Sequence, residues 1–423
     1  MKRRAFLKTA GASATWALAG CASIGNCARP QVVVVGGGFG GATAAKYLRL
    51  WSEGGIDVTL VEPNPRFVSC PLSNLVLGGH RTLDDLTLDY DALPRRYGVR
   101  LVHASVAEVR HDRREAALSD GTVLRYDRIV LSPGVEFMFD ALPALSSPAA
   151  RNQVVHAWKA GPQTLALRRQ LEAMPDGGVF VMTVPPQPYR CPPGPYERAC
   201  QVATYFQRAK PRSKVLILDA NDDVVSKGAL FKRIWAERYP GMIEYQPQFR
   251  LADADLPNAA VISELGDRVR ADVLNLIPPQ RAGDIALQAG VANANGRWCH
   301  VDFRSFESTR MPGVHVLGDA IQVAPLMPKS GHMANQHAKV CAGAIVAAFE
   351  GHEMAGSPVI NNTCYSFVTG KEAIHVASVH AYDAAARSLI VVPGSGGLSP
   401  GASELEGRYA GDWARNIWSD MLA

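Results

Sequence analysis

Val32-Val33-Val34-Val35-Gly36-Gly37-Gly38-Phe39-Gly40-Gly41 is the stretch on which the fold turns. Four consecutive β-branched residues make a strand buried on both faces, as at the centre of a parallel sheet. Gly36 allows the tight turn that follows, and Gly38 lets a pyrophosphate approach the backbone. Gly41 lets a helix pack close to the strand, with its N-terminus facing the negative charge. Ala42 to Leu50 supplies that helix, and Asp57 to Glu62 supplies the second strand of a βαβ unit. Glu62 stands about twenty residues past the glycines, where a carboxylate accepts ribose hydroxyls. Strand, glycines, helix and acid in one register predict a dinucleotide site.

Further along, strands are expected over 125–132, 178–184, 214–218, 272–277 and 314–317. Helices are expected over 151–174 and 332–349, with a proline-dense loop at 185–195. After Gly351 the pattern shifts to short strand-like runs at 373–380 and 388–392, then an aromatic helix near Trp413 and Trp418. No internal repeat or low-complexity tract is present.

Gly318-Asp319 ends a late strand behind Thr309-Arg310-Met311-Pro312-Gly313 and resembles the second flavin fingerprint of the glutathione-reductase-like superfamily. There the aspartate contacts the ribityl and pyrophosphate region, so the resemblance makes the dinucleotide FAD. Members that use NADH or NADPH carry another glycine fingerprint in their inserted domain. Here the corresponding strand, Lys214 to Leu218, runs into Asp219-Ala220-Asn221-Asp222-Asp223, with no glycine and three carboxylates. Such a turn repels a pyrophosphate and holds it off the backbone. The inserted domain is expected to have lost its nicotinamide site.

Four longer stretches resemble one family, the flavin-binding subunit of flavocytochrome c sulfide dehydrogenase. They are Phe67-Val68-Ser69-Cys70-Pro71-Leu72-Ser73-Asn74, Tyr189-Arg190-Cys191-Pro192-Pro193-Gly194-Pro195-Tyr196-Glu197-Arg198, Met327-Pro328-Lys329-Ser330-Gly331 and Asn362-Thr363-Cys364-Tyr365-Ser366. The resemblance implies that Cys70 is joined covalently to the flavin and that Cys191 and Cys364 form a redox-active disulfide beside it. Prolines around Cys191 stiffen its loop. For Glu197 two readings stand side by side: a base for hydrosulfide or a thiol, and a solvated surface carboxylate. Lys329 and Ser330 open a helix whose N-terminus, with the lysine, is expected to face the flavin and stabilise negative charge on it. Cys200, Cys299 and Cys341 read as core residues.

The N-terminus carries an address of its own. Arg3-Arg4-Ala5-Phe6-Leu7-Lys8 precedes a weakly apolar stretch too short for a span of about 20 residues, which is a twin-arginine export pattern. Two processing routes fit it: lipid anchoring at Cys21, within Leu18-Ala19-Gly20-Cys21, or cleavage near Ala28. A periplasmic protein follows from either. With 44 Lys and Arg against 39 Asp and Glu, the net charge of +5 is far from a nucleic-acid binder's. None of the eight cysteines forms a CxxC pair or a CxxCH haem site, so no metal site is expected and any haem belongs to another chain.

The expected fold is therefore α/β: two Rossmann-like doubly wound domains of the glutathione-reductase type plus a C-terminal α+β interface domain. The divisions fall at 1–28 (signal), 29–150 and 271–350 (FAD-binding), 151–270 (inserted) and 351–423 (interface). The expected activity is sulfide oxidation through a disulfide and FAD, with a c-type cytochrome subunit as acceptor and partner. Trp413 and Trp418 either join that interface or pack a core. A sulfide:quinone oxidoreductase shares the fold, but the short, charged segment Arg408 to Ala423 is a poor membrane surface. A non-catalytic FAD-bearing protein is the other alternative.

Overall fold

A computed structural model describes residues 29–354 and 356–423. The export pattern, Cys21, Cys27 and the two processing sites lie outside the described residues. The valine run forms the strand Gln31–Val35 at the centre of a seven-stranded sheet. Parallel neighbours Asp57–Val61 and Arg128–Leu131 flank it, and Arg100–Val102 and Val314–Val316 extend the parallel run to five strands. An antiparallel edge of Glu307–Ser308 and Val301–Asp302 closes one side. The helix Phe39–Trp51 packs on this sheet and Gly331–Phe349 packs along that helix, with Ala42, Ala45, Ala338 and Ala342 buried. Their N-termini both lie at the carboxyl ends of the central strands, where ligands bind in doubly wound sheets.

A second parallel sheet runs Ile243–Gln246, Lys214–Asp219, Val179–Val184, Val273–Asn275. Gly194–Ala209 and Gly228–Arg238 are its helices, and their aromatic residues Tyr196, Phe206, Phe231 and Trp235 fill its core. The C-terminal part is an antiparallel sheet, Val359–Phe367, Ala373–Asp383 and Ser388–Val391, followed by the helix Glu404–Leu422. That helix starts cleanly because Ser403 caps it, its hydroxyl accepting from the Glu406 N–H. Among the described residues no helix is long and apolar enough to cross a membrane.

Three departures from the sequence reading matter for function. The helix expected over 151–174 is two helices, Pro148–Gln153 and Pro162–Ala173. Gly161 sits at φ +145° and precedes a proline, which disfavours helix at that position. The strand expected over 125–132 breaks at Tyr126–Asp127 into Val123–Arg125 and Arg128–Leu131, which join different sheets. The strand Val359–Phe367, which carries Cys364, lies outside the strand-like runs at 373–380 and 388–392, because its polar residues Asn361, Asn362 and Thr363 interrupt any apolar alternation. Trp418 is core, its indole N–H donating to Ser69 Oγ at 3.1 Å, whereas Trp413 is only partly buried and edges onto the ring of His332.

Candidate active site

The glycine turn has the geometry its composition predicts. Gly36 has φ +95°, and a Cβ there would strike the Ser132 carbonyl oxygen. A Cβ on Gly41 would overlap the Gly36 oxygen, so helix and strand could not close together. At Gly38, by contrast, a Cβ would meet nothing within 4 Å, because this residue borders a cavity. Glu62 braces the turn: Oε2 accepts from the Gly37 N–H at 2.7 Å, and Oε1 accepts from Asn64 N at 2.8 Å and Nδ2 at 2.6 Å.

That cavity encloses about 1820 Å³ of atom-free space, part of it open to solvent. It brings together Gly38, Glu62, Cys70, Cys191, Glu197, Gly318, Asp319, Ser330 and Cys364. Gly36 and Gly41 stand behind the turn rather than on the cavity wall. Asp319 Oδ1 is buried with no hydrogen-bond partner. Burial raises its carboxyl pKa, while Arg190 and Lys329 pull it back down. An orphaned buried acceptor costs about 1–3 kcal/mol unless a ligand supplies the donor. A ribityl hydroxyl is such a donor, and the open backbone at Gly38 leaves room for a pyrophosphate. The residues present fit a flavin dinucleotide.

Lys329 corrects the sequence reading. Its amine turns away from the cavity, donating to the Asp319 carbonyl at 2.8 Å and the Ile321 carbonyl at 2.6 Å, 3.6 Å above the Trp298 ring. Burial lowers its pKa to about 7. Its own carbonyl accepts from the Cys191 N–H at 2.8 Å. Lys329 thus ties the Gly318–Ala320 turn to the cysteine loop. Ser330 is the N-cap of Gly331–Phe349, accepting from the Met333 N–H at 3.1 Å and donating to Asn362 Oδ1 at 2.7 Å.

Three cysteines from distant segments border the cavity, and the six among the described residues are all free thiols. Cys70 follows the short strand Arg66–Val68, and its sulfur accepts from the Ala160 N–H at 3.5 Å. Cys191 holds a left-handed backbone, φ +58°, uncommon for a residue with a Cβ. A Cβ on Gly194 would come within 3.0 Å of its sulfur and 2.8 Å of the Trp158 ring, so only glycine fits beside it. Cys364 receives an N–H from Asn362 Nδ2 at 3.4 Å. Burial raises the pKa of both the Cys191 and the Cys364 thiols, and Lys227 opposes this at each. Cys200, Cys299 and Cys341 are fully buried core residues.

Glu197 is not a surface carboxylate. It is 8% exposed in the first turn of Gly194–Ala209, accepting from the Phe367 N–H at 2.8 Å and Asn74 Nδ2 at 2.9 Å. Burial raises its pKa against these hydrogen bonds and the charges of Lys227 and Arg198. Arg198 is 3% exposed and spans the site, donating to Asn74 Oδ1, the His156 and Ala157 carbonyls and Asn275 Oδ1. Asn74 and Arg198 lie inside the quoted stretches, yet nothing in the sequence marked them as partners of Glu197. The helix break at 154–161 delivers Trp158, Lys159 and Ala160 to the same cavity. Lys227, buried at the start of Gly228–Arg238, donates to the Cys364 carbonyl at 2.9 Å and Ser366 Oγ at 2.8 Å. A lone lysine in a turn gave no periodic or motif signal.

Residues 164–278 match the family model "Sulfide dehydrogenase [flavocytochrome c] flavoprotein chain, central", and 356–422 match "Flavocytochrome c sulphide dehydrogenase, flavin-binding". Residues 30–170 match "Pyridine nucleotide-disulphide oxidoreductase". The sulfide dehydrogenase [flavocytochrome c] flavoprotein chain of Chlorobaculum thiosulfatiphilum is 65% identical over 46 residues, which are 11% of this chain and 94% of that sequence. The chain belongs to the flavocytochrome c sulfide dehydrogenase flavoprotein family. It is also 24% identical over 304 residues to the mitochondrial sulfide:quinone oxidoreductase of Dictyostelium discoideum, covering 68% of this chain and 65% of that one, so it spans just under two thirds of this relative's length. The solved sulfide:quinone oxidoreductase from the hyperthermophilic bacterium Aquifex aeolicus superimposes with a TM-score of 0.75 at 17% identity, covering 93% of this chain and 91% of that one. At that identity the likeness establishes the fold, the α/β architecture of the disulfide oxidoreductases.

Proposed function

We propose that this protein is a periplasmic sulfide dehydrogenase that passes electrons from sulfide, through a Cys191–Cys364 disulfide and FAD, to a c-type cytochrome subunit. One observation carries the reading. Cysteines 70, 191 and 364, from three distant segments, border the same cavity as the glycine turn and the orphaned Asp319 carboxylate. Gly38, Glu62, Asp319 and the helix beginning at Gly331 would hold the flavin dinucleotide, and Cys70 would anchor it as a thioether. Bound flavin supplies a two-electron acceptor able to release electrons singly.

The residues of the chain then perform thiol–disulfide chemistry. Hydrosulfide attacks one sulfur of the oxidised pair; the new S–S bond makes a persulfide as the Cys191–Cys364 bond breaks. The electron pair of that bond stays on the other cysteine as a thiolate. Glu197, its pKa raised by burial, accepts the proton when a sulfur species enters as the thiol. Arg190 and Arg198 set positive charge around the pair and favour entry of an anion. The inserted domain supplies structure here rather than a nicotinamide site, and residues 351–423 border the cytochrome.

Purified FAD-loaded protein, mixed anaerobically with sulfide and then with cytochrome c or a soluble quinone, tests the acceptor. Fast reoxidation by cytochrome c alone is the expected result; reoxidation by quinone alone overturns it. Acid precipitation followed by mass spectrometry tests the anchor, with flavin expected on the Cys70 peptide. Flavin released into the supernatant contradicts the covalent link.

A further inference from the structure

Lys227 stands where the strand–turn–helix of the second parallel sheet would otherwise meet a nucleotide. It ends the turn after Lys214–Asp219 and is the N-cap of Gly228–Arg238, in a left-handed conformation, φ +59°. The turn before it is filled from within. Asp219 is fully buried and accepts from Tyr196 Oη at 2.7 Å, Tyr245 Oη at 3.1 Å and Asn221 N at 2.9 Å. The lysine itself is 5% exposed and reaches across to the C-terminal sheet, where its amine bonds the Cys364 carbonyl and Ser366 Oγ.

A buried ammonium is costly unless paired. Two neutral acceptors satisfy its hydrogen bonds but not its charge. The groups facing it that can carry negative charge are the Cys364 and Cys191 thiols and Glu197. Glu197 is already committed to the Phe367 N–H and Asn74. We propose that Lys227 is a positioning residue for the sulfur pair: a strut from the inserted domain that fixes the strand bearing Cys364, and the cation that favours the thiolate form of Cys364. Burial lowers its pKa and Cys364, Glu197 and Cys191 hold it up, leaving it at about 8. It is therefore mostly charged at neutral pH. The inference rests on Cys191 and Cys364 being the redox couple.

The test uses the full FAD-loaded protein and reads thiol ionisation rather than turnover. The wild type is reduced, desalted and alkylated with iodoacetamide across a pH series, with mass spectrometry reporting Cys191 and Cys364 separately. Lys227→Met is expected to slow Cys364 alkylation about tenfold at pH 7.5, equivalent to one pKa unit. The profiles converge at alkaline pH, where the wild-type amine has lost its proton. Lys227→Arg restores the wild-type rate at pH 7.5, where both side chains are charged. Lys227→Gln keeps a donor for the Cys364 carbonyl without the charge, so it follows Met in alkylation and serves if Met does not fold. A wild-type profile in folded Met or Gln variants overturns the inference. Thiol counts before and after oxidation test the couple separately: if oxidation removes no thiols from Cys191 and Cys364, it is the disulfide reading that fails.

Discussion

The two parallel sheets begin with the same local plan and end with opposite surfaces. After Gln31–Val35, three glycines and a braced Glu62 leave the backbone bare toward a cavity. After Lys214–Asp219, the side chains are engaged by the protein itself: Asp219 gathers two tyrosine hydroxyls inside, Asp223 pairs with Lys232 at the surface at 2.6 Å, and Lys227 leaves for the C-terminal sheet. A strand–turn–helix is thus a frame, and the turn residues decide whether it holds a ligand or props up a neighbouring site.

Breaking the first turn has the largest expected effect. Gly41→Val forces a Cβ into the Gly36 carbonyl, so protein purified from cells should carry no flavin. A yellow variant with normal flavin content contradicts the assignment of the cradle. Glu62→Ala removes the acceptor for the Gly37 and Asn64 N–H groups. Leaving buried donors unpaired costs about 1–3 kcal/mol. Thermal melting should drop and flavin affinity should weaken at least tenfold where the flavin is not covalently held, as measured on a Cys70→Ser background.

Changes in the second turn should act on stability without touching the flavin. Asp219→Ala orphans the Tyr196 and Tyr245 hydroxyls and is expected to cost about 1–3 kcal/mol in denaturant melts. Flavin content stays at the wild-type level; flavin lost in proportion would mean the two turns are one site. Asn221→Gly should produce no reduction by NADH, because Asp219, Asp222 and Asp223 remain.

Acid reports on both regions together. Burial lowers the pKa of His156 and His337 to about 3 and of His315 and His332 to about 4. Each is neutral in the fold while the unfolded chain takes up a proton below about 6.5. The unfolded state then binds more protons, so stability is lost as pH falls from about 6.5 toward 4, by about 1.4 kcal/mol per pH unit for each histidine titrating. Melting temperatures across this range should fall steadily; a flat profile contradicts the burial of these rings. His332 itself should contribute no ionisation to activity between pH 5 and 8.

Much of this was legible because it is local. The valine run, the glycines, Glu62 and Asp319 signal through adjacent residues, and the cysteine-bearing stretches are distinctive enough to point to their family. The rest depends on contacts that a sequence does not write down. Lys329 could be placed at a helix start, but not seen to turn its amine onto the Asp319 and Ile321 carbonyls. Glu197 could be placed near Cys191, but its burial comes from Asn74 and Phe367, more than one hundred residues away in either direction. Gly161-Pro162 is the one local mark of the break in the helix expected over 151–174.

The central claim is that sulfide delivers its electrons through Cys191 and Cys364. Anaerobic stopped-flow mixing of sulfide with oxidised, FAD-loaded wild-type, Cys191→Ser and Cys364→Ser proteins tests it directly. Bleaching of the flavin in the wild type, at least a hundredfold slower in both variants, is the predicted result. Equal bleaching in all three, or none in the wild type, would contradict it.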